Sequence, residues 1–249
     1  DWDGMSDIYK IVGFQNYAKM LADPVFWTAV TNNVLFFIGT VFIQAGLGFF
    51  LALLLKKKLP GSNLFKAIYF MPIAMATSII TAIFKIIMDP TNGALNQFLR
   101  AIHLDALAMS WLGDQKIALV SVIAVNIFQW MGFSMITYYA GLMALPDDVY
   151  EAAKIDGAGF WRTTVSITFP MLKSTTNLLL VLGIVGSLKT FDLVKLLTAG
   201  GPGRATTVMN TYLYEKAFND FNAGGAASIG VAILIIAIVM SFLQIKLGK

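Results

Sequence analysis

Val34–Leu55, VLFFIGTVFIQAGLGFFLALLL, runs for 22 residues without one charged side chain. At about 1.5 Å per helical residue it reaches roughly 30 Å, the thickness of a bilayer's hydrocarbon core. A helix apolar on every face belongs in a membrane or a deep core, not on the surface of a soluble domain. Four further stretches share this character. Ala67–Phe84, between Lys66 and Lys85, contains Pro72, which predicts a kinked span whose freed carbonyl is satisfied by a neighbouring helix or by water. Ile117–Pro146 is charge-free for 30 residues yet holds Asn126, Gln129 and Trp130. Met171–Leu188 is apolar after Lys173. Phe221–Ile245 enters through Gly224, Gly225, Ala226, Ala227, Ser228 and Gly230, small residues that let helices approach closely. The sequence therefore predicts an all-α polytopic membrane bundle with five visible spans.

The composition of the 249-residue chain agrees. It is 57% hydrophobic and 13% charged, with a mean hydropathy of +0.73, whereas soluble domains carry about 25% charged residues. A soluble enzyme is excluded. The chain has no cysteine, hence no disulfide, thiolate metal site or cysteine nucleophile, and the lone His103 cannot build a histidine-rich metal site. The formal charge of +4 would suit nucleic acid, but the 18 Lys and Arg are spread along the chain rather than gathered into a stripe. No nucleic-acid partner is expected. GxxxxGK[ST], HExxH and GxSxG are all absent, so neither nucleotide binding nor the common membrane hydrolase chemistries are supported. The reading is of a non-enzyme with no cofactor or metal of its own.

Sidedness follows from Lys and Arg in short loops. Lys56, Lys57, Lys58, Lys66, Lys154, Arg162, Lys173, Lys246 and Lys249 fall on one side and are assigned to the cytoplasm. Lys10, Lys19, Arg100, Lys116, Lys195, Arg204 and Lys216 fall on the other, over far more chain and offset by most of the acids. Lys85, Lys189 and Asp192 sit near span ends, where snorkelling accounts for them. Five spans put Asp1 outside and Lys249 inside. With no initiator Met and no signal-like run before it, a preceding N-terminal span is expected to be missing. Residues 1–32 are read as an extracytoplasmic interfacial segment rich in Trp2, Phe14, Tyr17, Met20, Leu21, Phe26 and Trp27, an aromatic belt with Asp23-Pro24 starting a helix. Residues 33–249 are read as the transmembrane domain.

The loop at 145–170, LPDDVYEAAKIDGAGFWRTTVSITFP, carries the functional signal. Pro146, Asp147 and Asp148 start a helix, Glu151 adds an acid near its positive end, and Gly157 is placed to end it in a left-handed conformation. A second helical stretch follows from about Gly159 to Ile167. Ala152 and Ala153 offer a flat face for another protein, and Glu151 and Asp156 can pair with basic groups on it. A bare solvated connector is the plainer reading of such a helix, but a loop this long between spans needs a reason to exist.

Glu151-Ala-Ala, Asp156-Gly-Ala158, Ile167 and Pro170 resemble the EAA loop of ABC importer permeases, the coupling helix that docks into the ATPase subunit. Phe14-Gln-Asn-Tyr17, Phe70-Met-Pro72, Asp89-Pro90, Trp111-Leu-Gly113, Phe191-Asp-Leu193 and Gly200-Gly-Pro202 extend the resemblance to the carbohydrate branch, of maltose and glycerol-3-phosphate type. The resemblance implies a type I importer permease fold with six core spans, in a bacterial or archaeal cell membrane. It implies coupling through Glu151, Ala152, Ala153, Asp156 and Gly157. It also implies a second permease subunit, usually a different chain, an ATPase dimer that holds the ATP and Mg, and an extracytoplasmic binding protein delivering a sugar.

In the third span Asn126, Gln129, Trp130 and Phe133 fall at i, i+3, i+4 and i+7, one helical face with amides for hydroxyls and rings for the C–H faces of a sugar. The same amides would serve to bond a neighbouring helix. In maltose-type permeases this part of the span lines the solute site, and the resemblance adds Ser187 and Thr190 from the fourth span. Lys189 beside them departs from a neutral lining and would suit an anion if it faces the cavity. Gly200-Gly-Pro-Gly203 reads as an outer turn suited to contact with a binding protein. Alternatives are the same machine for glycerol-3-phosphate or a polyol, and a stand-alone secondary transporter; the latter is disfavoured because the spans lack carboxylates and paired broken halves.

Overall fold

The computed structural model describes residues 2, 4–5, 10–56 and 60–248; Asp1, Lys57, Lys58 and Lys249, used above to orient the chain, lie outside the described residues. All regular structure among the described residues is helical.

After α1 (Gln15–Ala22) the chain breaks at Asp23 and enters α2 (Pro24–Lys56). Asp23 is extended and its carboxylate accepts the Val25 amide at 2.8 Å. Pro24 opens the helix, where it has no amide to lose. The helix therefore starts at Pro24 rather than Val34, and its 33 residues reach about 50 Å, well beyond the hydrocarbon core. Its middle, Gly39–Gln44, is a π-helical turn, where the Thr40 hydroxyl donates to the carbonyls of Phe36 (2.8 Å) and Phe37 (3.2 Å).

The second span departs from expectation. α3 (Ser62–Ala74) runs straight through Pro72, and the chain instead turns by 101° at Met75–Ala76 before α4 (Thr77–Ile87). Met75 and Ala76 are extended, so the break lies two residues beyond the last helical turn that Pro72 disturbs. α5 (Ala94–Ala101) follows, and α6 (Ala118–Met143) is the third span. Then come α7 (Asp147–Ile155), α8 (Phe160–Met171) and α9 (Lys173–Lys189). The fourth span is thus a bent pair as well: the second helical stretch of the loop continues to Met171, includes a π turn at Thr164–Thr168, and bends 68° into α9. Two short helices, α10 (Asp192–Leu197) and α11 (Met209–Tyr214), precede the last span, α12 (Ala223–Gly248). By length and composition α2, α6 and α12 can each cross a membrane, and the pairs α3–α4 and α8–α9 bring the number to five.

α6 is the axis of the bundle. Gly132 puts its backbone against α3: a Cβ there would meet the Tyr69 carbonyl oxygen at 1.9 Å. Gly48 of α2 lies against Ser134 in the same way, at 2.6 Å, and the Gln44 amide reaches the Ser134 hydroxyl at 3.0 Å. Small residues thus set the helix spacing, as close packing between apolar helices requires. One core cluster, with Phe36, Ile80, Val122, Val125 and Val194, binds α2, α4, α6 and α10; another, with Ala52, Tyr138, Leu142, Leu172 and Leu179, binds α2, α6 and α9. Large side chains such as Phe42, Ile235 and Phe242 stay exposed along α2 and α12, surfaces that lipid or another apolar partner must cover.

Contacts gather the connections at two ends. Lys56 and Lys66 lie over the rings of Tyr150 and Tyr139, which puts the end of α2 with α7 and the start of α3 with the end of α6. Asp23 meets Tyr212, and Asn32 meets residues 205–207, which puts the start of α2 with the 190–222 segment. These groupings are the ones an odd number of crossings produces.

Candidate functional site

α7 is built as its sequence demands. Pro146, extended at φ −67° and ψ 139°, precedes a first turn holding Asp147 and Asp148, whose charges favour the amide end of the helix. At the other end Gly157 has φ +72°. Its amide donates to Lys154 O at 3.1 Å and the Ala158 amide to Ala153 O at 2.9 Å, the paired bonds of a Schellman cap. The left-handed glycine expected from the sequence is in place. Glu151, Ala152, Asp156 and Gly157 are exposed. Neither Glu151 nor Asp156 has an ion-pair partner among the described residues. Ala153, however, is buried at 5% exposure: consecutive helical residues point about 100° apart, so Ala152 faces outward while Ala153 packs inward. Sequence reasoning missed the apolar surface beside α7, where Ile155 is 86% and Trp161 72% exposed.

The face of α6 divides. Trp130 is 41% exposed and meets the Phe133 ring edge-on, with centroids 6.4 Å apart at 82°. Asn126 is half-buried with no hydrogen-bond partner among the described residues. Gln129 is buried, and its amide points to the Met75 carbonyl at a long 3.5 Å, toward the orphan acceptor left by the α3–α4 break. Ser187 is also buried; its hydroxyl donates to Ile184 O at 2.9 Å within α9. Thr190 is half-buried at the end of that helix, its hydroxyl donating to Gly186 O at 3.0 Å. Asn126, Trp130 and Phe133 therefore keep accessible surface, whereas Gln129 and Ser187 serve helix contacts. No hydrogen bond or ring contact joins the α6 group to the α9 group among the described residues.

A polar clamp at the outer end was not foreseen. The Asn33 side chain accepts from the Met209 amide and donates to Ser187 O, both at 2.8 Å, while Asn32 donates to Ala205 O at 3.1 Å and Thr207 O at 2.8 Å. Both asparagines are buried. Two adjacent amides in an apolar helix were the available signal, since buried polar groups must find partners. The Gly200-Gly-Pro-Gly203 turn is held from inside by Thr206 and Thr207, whose hydroxyls donate to Gly201 O (2.8 Å) and Gly200 O (3.0 Å). Arg204 forks onto Glu215 at 2.6 and 2.9 Å. Asn96, 1% exposed, ties Pro90 O and Met109 O and accepts from Trp111 Nε1 at 2.7 Å, which gives the Trp111-Leu-Gly113 signature a loop-shaping role.

Next to the clamp, Asp23 accepts from the Tyr212 hydroxyl. Burial opposes the charge on Asp23, but the bonds from Tyr212 and Val25, with Lys216 and Arg204 nearby, outweigh it and hold its carboxyl below the usual range. Burial and the donated bond push the Tyr212 phenol up.

Three comparisons bear on these features. The model of the family described as "Binding-protein-dependent transport system inner membrane component" matches residues 44–247. Among curated relatives, the "Probable ABC transporter permease protein YurN" of Bacillus subtilis is 37% identical over all of this chain and 86% of its own length. The trehalose/maltose transport system permease protein MalF of Thermococcus litoralis is 33% identical over 96% of this chain and 80% of its own. A solved bacterial ABC transporter involved in the import of the acidic polysaccharide alginate has a chain that superposes with a TM-score of 0.82 at 23% identity, covering 99% of this chain and 88% of that one. The fold is that of a type I importer permease. The chain belongs to the family of binding-protein-dependent transport system inner membrane components: it is a multi-pass ABC transporter permease and not an enzyme.

Proposed function

We propose that this chain is one of two membrane subunits of an importer that moves a sugar or oligosaccharide into a bacterial or archaeal cell. An external binding protein delivers the solute and two ATPase subunits, which hold the ATP and Mg, drive the cycle. The observation that carries this reading is α7: a capped helix displaying Glu151, Ala152, Asp156 and Gly157 at its surface, with no ion-pair partner for Glu151 or Asp156 among the described residues. Ile155 and Trp161 widen the same surface with apolar contact area. Docked into an ATPase groove, such a helix transmits displacement without bending. The solute class is supported by relatives whose names specify trehalose and maltose or lactose uptake. On this chain Trp130 and Phe133 supply rings and Asn126 an unengaged amide. The second permease subunit, identical or different, completes the path. A glycerol-3-phosphate or polyol cargo is the alternative; Lys189, exposed beside Thr190, favours an anion.

The test is the reconstituted transporter with its binding protein. Gly157→Pro and Glu151→Lys are expected to abolish solute-stimulated ATP hydrolysis and uptake while the permease still inserts. Full stimulation in both variants would refute the coupling role, and uptake by liposomes holding this chain alone would refute the ABC reading.

A further inference from the structure

Lys56, the last residue of α2, has its ammonium nitrogen shielded from solvent with no hydrogen-bond partner among the described residues. A desolvated charge of this kind is costly unless something answers it. What answers it is Tyr150 of α7: Nζ stands 3.4 Å from the ring centroid, well inside cation–π range. The Tyr150 hydroxyl in turn accepts from Thr168 at 3.3 Å, and Thr168, 2% exposed in the π turn of α8, also donates to Thr163 O at 3.2 Å. One tyrosine thereby joins the end of the first span, the coupling helix and the entry to the fourth span. Beside this contact lies an open cleft of about 400 Å³, lined by Leu53, Lys56, Asp147, Tyr150 and Thr164 among others, so packing between the end of α2 and the start of α7 is loose here. Where packing is open, force passes through the discrete contacts that remain.

Resting on the coupling role of α7 argued above, we propose that Lys56 and Tyr150 are positioning residues. They form a joint that stays closed through the cycle and carries the motion of α7 to α2, with Thr168 passing it on to α8. The pair touches neither solute nor nucleotide. Its loss lets α7 move in its ATPase groove without moving the span.

The readout is solute transported per ATP hydrolysed by the full reconstituted complex. Lys56→Met and Tyr150→Leu are each expected to lower this ratio about tenfold, the equivalent of a desolvated cation–π pair of middling strength. The double variant is expected to be no worse than Tyr150→Leu, because Lys56→Met removes only the contact that Tyr150→Leu already removes. Lys56→Arg and Tyr150→Phe, which keep the cation and the ring, retain at least half the ratio. A purely structural pair would lower the yield of assembled complex and leave the ratio unchanged. The cysteine-free sequence allows a second measurement: Lys56→Cys with Tyr150→Cys, uncoupled when reduced, is expected to regain coupling when a short bifunctional thiol reagent ties the two positions. Ratios within twofold of wild type, additive losses, or inactivation by the cross-link overturn the proposal. If the cysteine pair does not assemble, the Arg and Phe variants decide: a tenfold loss in either overturns it. Gly157→Pro run alongside separates the two levels: if it uncouples and the joint variants do not, the joint is wrong and the coupling helix stands; if it leaves coupling intact, the reading of α7 itself fails.

Discussion

Replacing Gly132 by alanine inserts one methyl group at the tightest contact between α3 and α6. Its Cβ would stand 1.9 Å from the Tyr69 oxygen, 2.6 Å from the Tyr69 carbonyl carbon and 3.0 Å from the Phe70 Cα, all backbone atoms. Comfortable contact lies near 3.5 Å, so the helices must part by roughly 1.5 Å locally. No side-chain rotation can relieve this. Overpacking of this sort costs about 1–3 kcal/mol, and the upper end applies because a whole helix must shift. At about 2–4 °C per kcal/mol for a chain of this size, thermal unfolding in detergent should fall by several degrees. The displacement also pulls Met75 away from Gln129 and disturbs Trp130 and Phe133, both within a single turn of Gly132, so solute-stimulated ATP hydrolysis should fall too. Gly46→Ala is the control: in α2, a Cβ there meets nothing within 4 Å, and exchanging helical Gly for Ala stabilises by about 0.5–1 kcal/mol. Gly132→Ala melting at or above wild type, as Gly46→Ala is expected to do, would refute the argument that glycine fixes the spacing of these helices.

Three further outcomes are expected. Asn33→Leu leaves the Met209 amide without a partner in a buried site and the Ser187 carbonyl with only the long 3.4 Å bond from the Thr190 amide, a cost of roughly 1–3 kcal/mol for the orphaned amide; a melting temperature within a degree of wild type would contradict it. Because the Asp23 carboxyl is held below its usual range, its contribution to stability is complete above about pH 4 and is lost as pH falls through the lowered value; Asp23→Asn should flatten the acid limb of a pH–stability profile, and an unchanged limb would argue against the Tyr212 bond. Trp130→Ala and Asn126→Leu should raise the solute concentration needed for half-maximal ATPase stimulation while Ser187→Ala, whose hydroxyl is spent inside α9, should change it little; equal effects from all three would show that the accessible face of α6 has no special part in solute contact.

Five apolar runs, the Asp23-Pro24 helix start and the Gly157 cap were legible because each is local: hydropathy over some twenty residues, one cap, one left-handed glycine. What escaped was tertiary. Pro72 marks no break in α3 because the turn falls at Met75–Ala76, where the orphan carbonyl finds Gln129 on another helix. Ala153 turned inward because the bundle, not the loop, decides which helical face is buried. Spacing put Asn126, Gln129, Trp130 and Phe133 on one face, but it did not say which amide would meet a neighbour and which would stay open. Lys56 looked like an orienting charge, and only the packing of α7 reveals its ring partner.

The Asn33 clamp also sets an order of events for the growing chain. Its carbonyl oxygen is matched to an amide 176 positions later, and translation at about 5–20 residues per second separates the two by roughly 10–35 s. Throughout that interval α2 sits in the membrane with two amides unanswered, a state lipid cannot relieve. Something must shelter this helix until α11 arrives, whether an insertion machine's polar lumen or a shallow, surface-lying pose near the headgroups. This end of the permease therefore closes only once α11 has been made, and α2 is exposed to quality control while it waits.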